Sequence, residues 1–143
     1  MGYKLAIAAV PTEVASGTPP VTLLQLVAAT NIPIYVYEIH VGLDATVEIT
    51  VQLRKQTSAG TMTSLTPKKL GSYSETLQTT AQHTSTSEPT GGDEVARAKG
   101  NRGVDFLFPS DKPLIIAGGE RLGIILASAD SAVNCIAYAR FEE

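Results

Sequence analysis

Glutamate and histidine side chains that could bind a metal lie two residues apart, at Glu38 and His40. On a β-strand, residues at this spacing share one face, so the pair could supply two ligands of a cupin-like metal site. Such a site needs three or four converging ligands, and the other histidine, His83, lies in a polar segment far along the chain. The sequence therefore favours an ordinary pair of surface side chains and predicts no metal and no other cofactor.

Other residues that could do chemistry are isolated. Asp105 and Asp111 flank a short apolar run and could be a glycosidase pair, but the chain has no Trp and only five Tyr to line a sugar site. The glycine-rich Gly118–Gly123 lies between two strand-like runs and precedes no helix that could bind phosphate, so it is typical of a hairpin turn. Cys135 stands alone in an apolar run and is interpreted as a small core side chain. We predict that the protein is not an enzyme.

The sequence predicts that these residues lie in short β-strands separated by frequent turns. The clearest strand is Val47–Leu53, in which apolar and polar residues alternate as a half-buried antiparallel strand requires. No stretch shows a sustained helical period. The predicted fold is a single all-β domain over residues 1–143, a jelly-roll-like antiparallel sandwich of about eight strands. The predicted strands are Tyr3–Val10, Val21–Thr30, Ile34–Leu43, Thr46–Lys55, Glu94–Ala98, Val104–Phe108, Leu114–Ala117, Arg121–Ser128 and Ala132–Phe141.

The segment Gln56–Gly92 interrupts this pattern. It is rich in Ser and Thr and is broken by Gly and Pro, which predicts a long irregular excursion from the sandwich with one helical turn near Gln78–Gln82. Spaced apolar residues in this segment favour an ordered arm on the protein surface. The sandwich does not need this arm for its core. The spaced apolar residues are Leu65, Leu70, Tyr73 and Leu77.

Charge and hydropathy limit the classes of partner that the protein can bind. The net charge is −3 with no basic run, which argues against nucleic-acid binding. No apolar run has the length of a membrane span, and Met1–Val10 is interpreted as a first strand and not as a targeting segment. We therefore expect a soluble protein made in a cytoplasm. Only 17% of the residues are charged, which fits either a surface covered by partners or a small all-β domain with Ser and Thr outside.

The two C-terminal strands, Arg121–Ser128 and Ala132–Phe141, are apolar or small on both faces. A strand of this kind is covered on both sides, by a loop or by a neighbouring subunit, and we expect a homotrimer. A loose basic cluster around Gly100–Gly103 is formed by Arg97, Lys99, Arg102 and Lys112. It is interpreted either as ordinary exposed charge or as a contact with an acidic protein surface. The residues predicted to contact a partner protein or another subunit are Leu65, Leu70, Tyr73, Arg97, Lys99, Arg102, Ile125, Ile136 and Tyr138.

A resemblance to a known family is carried by Val27–Asn31, Leu53–Met62, Thr80–Asp93, Gly119–Gly123, Ala132–Asn134 and Phe141–Glu143. The resemblance is to small proteins from the structural gene clusters of tailed bacteriophages and prophages. It implies a jelly-roll capsid decoration protein, located on the virion surface, that binds the major capsid protein and stabilises the shell. A tail-associated or carbohydrate- or receptor-binding module is the alternative, and a cupin-type metal enzyme is a distant third.

Overall fold

The computed structural model describes residues 4–143, which form thirteen β-strands in two antiparallel sheets. Residues from both sheets join one buried apolar core, so the chain is an all-β sandwich, as predicted. The strands are β1 (Leu5–Ala9), β2 (Val14–Ala15), β3 (Val21–Val27), β4 (Ile34–Leu43), β5 (Ile49–Gln56), β6 (Thr61–Leu65), β7 (Lys68–Lys69), β8 (Thr80–Ser87), β9 (Glu94–Gly100), β10 (Gly103–Leu107), β11 (Leu114–Ile116), β12 (Arg121–Ala129) and β13 (Asn134–Glu142).

The two sheets are named here front and back. The front sheet has the order β10-β4-β13-β1-β7, with β11 paired to β4 and β2 paired to β13. The back sheet has the order β6-β8-β3-β12-β5-β9. The β9–β10 connection therefore joins an edge of the back sheet to an edge of the front sheet.

Alternation of side chains decides which face of each strand is buried. In β13, Cys135, Ala137, Ala139 and Phe141 point into the core. In β5, the apolar residues Ile49, Val51 and Leu53 do the same, as their spacing predicts. Residues between these positions face outward, so each sheet presents a second face whose composition decides what it can bind.

The segment predicted as an irregular excursion contributes strands to the back sheet. Strand β8 pairs with β3 on one side and with β6 on the other, and its Ala81 is only 1% exposed. The helical turn predicted near Gln78–Gln82 is wrong, because this part of the chain enters β8 and residues 4–143 contain no helix. Only Ala81 and His83 of β8 are buried, and neither is strongly apolar, so the strand has no apolar alternation in the sequence.

The number of strands is larger than the eight expected. Strands β2, β7 and β11 have two or three residues each, and β6 and β8 lie in the Ser/Thr-rich segment. The strand predicted at Tyr3–Val10 corresponds to β1, while Tyr3 itself lies outside the described residues. Within the described range, the fold offers no helix of the length and apolarity that a bilayer crossing needs.

Candidate functional site

The central part of the outer face of the back sheet is covered by the chain itself. Gln25 Nε2 donates to Gln56 Oε1 at 2.8 Å, and Gln56 Nε2 donates to Thr22 Oγ1 at 3.2 Å. All three side chains are buried, and they lie on the outer side of β3 and β5. The Gln56 amide occupies the space over Gly123, where a Cβ atom would stand 2.2 Å from Gln56 Oε1. Glycine in β12 therefore makes room for a buried polar layer.

The segment after β8 completes this cover. Glu88 Oε2 accepts a hydrogen bond of 2.8 Å from the Thr22 backbone N–H, which holds the segment against the start of β3. Together with Pro20 and Pro89, it walls a cleft of about 280 Å³ whose lining includes Ile125. Ile125 is 7% exposed, so little of this predicted interface residue is left for contact with a partner. Strand β12 thus has a loop of its own chain over its outer side.

The outer face of the front sheet is open. Strand register aligns Tyr138 of β13 with His40 of β4, and His40 with Asp105 of β10. The next row aligns Arg140 with Glu38, and Glu38 with Leu107. These side chains project away from the core, because their neighbours along each strand are the ones that point inward. Three strands that are distant in sequence thereby assemble one polar and aromatic cluster.

Hydrogen bonds pair the polar groups of this cluster with one another. Glu38 accepts from Tyr138 Oη at 2.9 Å and from Arg140 Nη1 at 3.2 Å. His40 Nδ1 lies 2.5 Å from Asp105 Oδ1, and the His40 and Tyr138 rings are 5.2 Å apart between centroids. Two effects raise the pKa of Tyr138 above its ordinary value. The larger effect is the hydrogen bond to the Glu38 carboxylate, and the second is partial burial. The face therefore carries charged groups whose partners are already in place.

The two candidate metal ligands, Glu38 and His40, lie in this cluster. Each side chain is engaged across the sheet, Glu38 with Tyr138 and Arg140, and His40 with Asp105. Among residues 4–143, no three His, Cys, Asp or Glu side chains converge as metal ligands. His83 is buried in β8 of the other sheet, where Nδ1 lies 2.9 Å from Thr84 Oγ1. The structure thus shows a cross-strand polar cluster at Glu38 and His40.

Cys135 is fully buried on the inner side of β13. Burial, with a smaller contribution from the Asp44 carboxylate, raises the pKa of the Cys135 thiol to about 11. A nucleophilic cysteine needs the opposite environment, which stabilises the thiolate. Cys135 is a core side chain in this structure, as its sequence context indicates.

Large apolar side chains stand exposed around the polar cluster. Leu107 is 73% exposed, Ile115 is 50% exposed and Ile136 is 47% exposed, and all three belong to the front sheet. Beside Leu107 lies a groove of about 420 Å³, which extends across the sheet from β1 to the end of β10. Its lining combines apolar and charged side chains: Leu5, Tyr37, Glu38, Leu107, Phe108, Ser110, Arg140 and Glu142.

Two of the predicted interface residues, Ile136 and Tyr138, belong to this open face, whereas Leu65, Leu70 and Tyr73 lie elsewhere. Leu65 in β6 is partly buried against the core. Tyr73 Oη donates to the Leu5 carbonyl at 2.8 Å, and the Lys69 ammonium lies 5.0 Å from the Tyr73 ring centroid. Leu70 is exposed next to Tyr73, at the β7 edge of the front sheet.

Three of the basic residues predicted as a cluster lie along the β9 edge of the back sheet and in the turn that follows, whereas Lys112 is exposed between β10 and β11. Arg97 pairs with Glu94, with Nε 2.6 Å from Oε1, and this pairing lowers the pKa of Glu94. Lys99 Nζ lies 3.9 Å from Glu48 Oε1. Arg102 is exposed in the turn between β9 and β10. The positive charge is therefore spread along an edge and is partly balanced by acidic neighbours.

Leu107 and Ile115 are the exposed apolar residues of the open face that sequence reasoning missed. The signal for Leu107 was present, because Val104 and Phe106 alternate with Asp105 and Leu107 in one predicted strand. Leu107 lies on the same strand face as the exposed Asp105, so its side chain points to solvent or to a partner protein. Ile115 stands in a run of three apolar residues, in which alternation gives no information.

Comparison with known proteins gives no match to any family model, curated protein or solved structure.

Proposed function

We propose that this chain is a structural virion protein that binds the outside of a bacteriophage capsid, through the major capsid protein, and stabilises the shell. The sandwich would be a jelly roll, and the protein would act as a homotrimer. The observation that carries the proposal is the open front face, on which Leu107, Ile115 and Ile136 stand exposed beside internally paired charges. The sequence resemblance to phage structural proteins supports the same assignment.

The mechanism would be linkage between binding and assembly. A protein that binds the assembled lattice and not free capsid subunits stabilises the lattice by RT ln(1 + [L]/Kd), which is about 2.7 kcal/mol at a concentration one hundred times Kd. Such a protein needs exposed surfaces for contact and a rigid body that positions them. The sandwich supplies the rigid body, and the open front face supplies a contact surface.

Fractionation of particles from a producing host tests the proposal. The protein should co-sediment with filled heads, and an antibody against it should bind intact particles. Heads stripped of the protein should burst at a lower temperature and regain their stability when the purified protein is added back. Absence of the protein from purified heads would contradict the proposal.

A recognition module is the second candidate, favoured by the groove of about 420 Å³ on the front sheet. Apolar walls with a few polar groups are typical of ligand sites. A tail-associated or receptor-binding protein would be recovered with tails and not with heads in the same fractionation. Binding to host surface glycans, lost on substitution of Tyr37 or Ser110 in the groove lining, would support this second candidate.

A further inference from the structure

We infer that the cleft on the outer side of the back sheet binds a carboxylate group that is attached to a small apolar body. This is the cleft of about 280 Å³ that is walled by Pro20, Pro89 and the segment around Glu88, with Ile125 in its lining. Arg54 lies in the same lining and supplies the positive charge. The inference stands apart from the proposed function, because the cleft lies on the other sheet from the open front face.

The Arg54 guanidinium is held at the cleft by a neutral partner. Its Nη1 donates to the Gly92 carbonyl at 2.7 Å, and it forms no ion pair with any carboxylate of residues 4–143. A single hydrogen bond leaves most of the guanidinium donors available. A guanidinium that is fixed in this way can bind both oxygens of a carboxylate with two parallel hydrogen bonds.

Glu94, which strand register places opposite Arg54, is already bound by another arginine. Its Oε1 accepts from Arg97 Nε at 2.6 Å, and its Oε2 accepts from Arg97 Nη2 at 3.3 Å. The Gln52 side chain also hydrogen-bonds to this carboxylate. Two guanidinium groups thus share one carboxylate, and the charge of Arg54 is only partly compensated.

The rest of the cleft suits an apolar group. Ile125 and Gln52 face each other in register and are only 7% and 8% exposed, so they lie at the bottom of the cleft. The rings of Pro20 and Pro89 contribute to its walls. Apolar walls with a few placed polar groups are typical of small-molecule sites, and the volume favours a ligand of roughly amino-acid size.

The loop wall of the cleft is fixed by the chain itself. Thr57 N–H donates to the Thr90 carbonyl at 2.9 Å, and Glu88 Oε2 accepts from Thr22 N–H at 2.8 Å. Gly91 packs so closely that a Cβ atom would stand 2.0 Å from Thr57 Oγ1. A preformed wall reduces the entropy that is lost when a ligand binds.

Glu88 restricts the orientation of such a ligand. Its carboxylate repels an anion, although its two oxygens accept from Thr22 N–H and from the Ser85 hydroxyl. The carboxylate of the ligand is therefore expected beside Arg54, with the apolar body over Ile125.

The groove on the front sheet does not offer the same chemistry. Its arginine, Arg140, is paired with Glu38, with Nη1 3.2 Å from Oε2, and Glu142 adds a second carboxylate to the lining. An anion would meet net negative charge there. The guanidinium without a bound carboxylate belongs to the back-sheet cleft.

A heteronuclear NMR titration of the labelled protein with isocaproate tests the inference. The backbone amide signals of Ile125 and Thr90 should shift with a dissociation constant of about 1 mM or tighter, which is within reach of so small a ligand. Isocaproamide has the same shape without the charge and should bind at least tenfold more weakly. The signals of His40 and Tyr138, on the front sheet, should not move.

Arg54→Gln should weaken the binding of isocaproate at least tenfold. Arg54→Lys should weaken it less, since lysine keeps the charge but not the two parallel donors. Arg102→Gln is the matched control, because it removes the same charge from an exposed turn outside the cleft. Arg54→Gln also loses the hydrogen bond to Gly92, so circular dichroism melting should accompany each variant. If Arg54→Gln does not fold, Arg54→Lys and the comparison of isocaproate with isocaproamide decide the matter.

A short peptide that ends in leucine identifies the source of the carboxylate. If only isocaproate binds, the ligand is a small free acid; if the peptide with a free C-terminus binds more tightly and its amidated form does not, the ligand is the end of a protein chain. Either result supports the inference. Unchanged signals at about 10 mM isocaproate, or equal binding by isocaproamide or by folded Arg54→Gln, would overturn it.

Discussion

Thr79 and Glu143, 64 residues apart in the chain, are joined by a hydrogen bond of 2.7 Å from Thr79 Oγ1 to Glu143 Oε2. The same carboxylate accepts from the backbone N–H groups of Gln78 and Thr79, and from Lys4 Nζ at 2.9 Å. Its side chain is fully buried. One carboxylate therefore fastens the entrance of β8 to both the first and the last strand.

We expect Glu143→Gln to lower the free energy of unfolding by about 2 kcal/mol, since hydrogen bonds to a charged acceptor are stronger than neutral ones. Burial alone would raise the pKa of Glu143, but the hydrogen bonds from Lys4 and Thr79 outweigh it and lower the pKa below its ordinary value. Urea denaturation at about pH 7 measures the effect. Glu13→Gln, at an exposed position, is the control and should be neutral.

The sign of the pH dependence follows from the lowered pKa of Glu143. The stabilisation is fully present above the ordinary carboxyl pKa of about 4 and is lost as the pH falls through the lowered value. The difference in stability between wild type and Glu143→Gln should therefore shrink on acidification. A difference that stays constant down to strongly acidic pH would contradict this account.

Gly123→Ala should destabilise the protein by about 1–3 kcal/mol, because the new Cβ would collide with Gln56 Oε1 in the buried polar layer. The Gln56 amide cannot swing away without breaking its hydrogen bonds to Gln25 and Thr22. Gly71→Ala is the matched control, since its nearest neighbour would be Tyr73 Cδ1 at 3.2 Å in an exposed turn. Thermal melting of both variants measures the difference, and equal melting temperatures would refute the steric argument.

Ala81→Asp tests whether β8 is part of the core. A charge at this buried position would lack a partner and should cost more than about 3 kcal/mol. Thr80→Asp, at the exposed neighbouring position, should have little effect. By the same reasoning, replacing residues 57–90 with a short turn should destabilise the sandwich, whereas the excursion hypothesis expects a stable one. Expression yield and urea denaturation distinguish the two expectations.

Cys135 should resist alkylation in the native protein. Its thiol is buried, and its pKa is raised to about 11, so the reactive thiolate is scarce at neutral pH. Mass spectrometry after iodoacetamide treatment should show an unmodified chain under native conditions and one adduct in denaturant. Rapid native labelling would show that β13 opens readily.

Sequence reasoning recovered the strands in which apolar alternation is strong. Val51 and Leu53 of β5 point inward as their spacing predicts, and the C-terminal pair corresponds to β12 and β13. Strand β8 was not predicted, because its inward residues, Ala81 and His83, are not strongly apolar and so give no apolar alternation. A strand whose stability comes from pairing with neighbours on both sides carries little signal in its own residues.

The composition of the front face lay beyond prediction for a different reason. His40 and Asp105 are 65 residues apart, and only strand pairing brings them together. The two C-terminal strands look alike in sequence, yet β12 lies in the back sheet under a loop and β13 in the open front sheet. Local sequence patterns do not show which sheet a strand joins. The sheet that each strand joins is what makes β12 covered and β13 open.

The charges along β9 have a consequence for solubility. Strand β9 is an edge of the back sheet, and such edges offer unpaired backbone groups on which a strand from another molecule can add. Glu94, Arg97 and Lys99 line this edge with exposed charge. A strand added to this edge would have to strip water from these charged side chains, which opposes pairing. The charged edge therefore disfavours edge-to-edge association in a chain rich in β-structure.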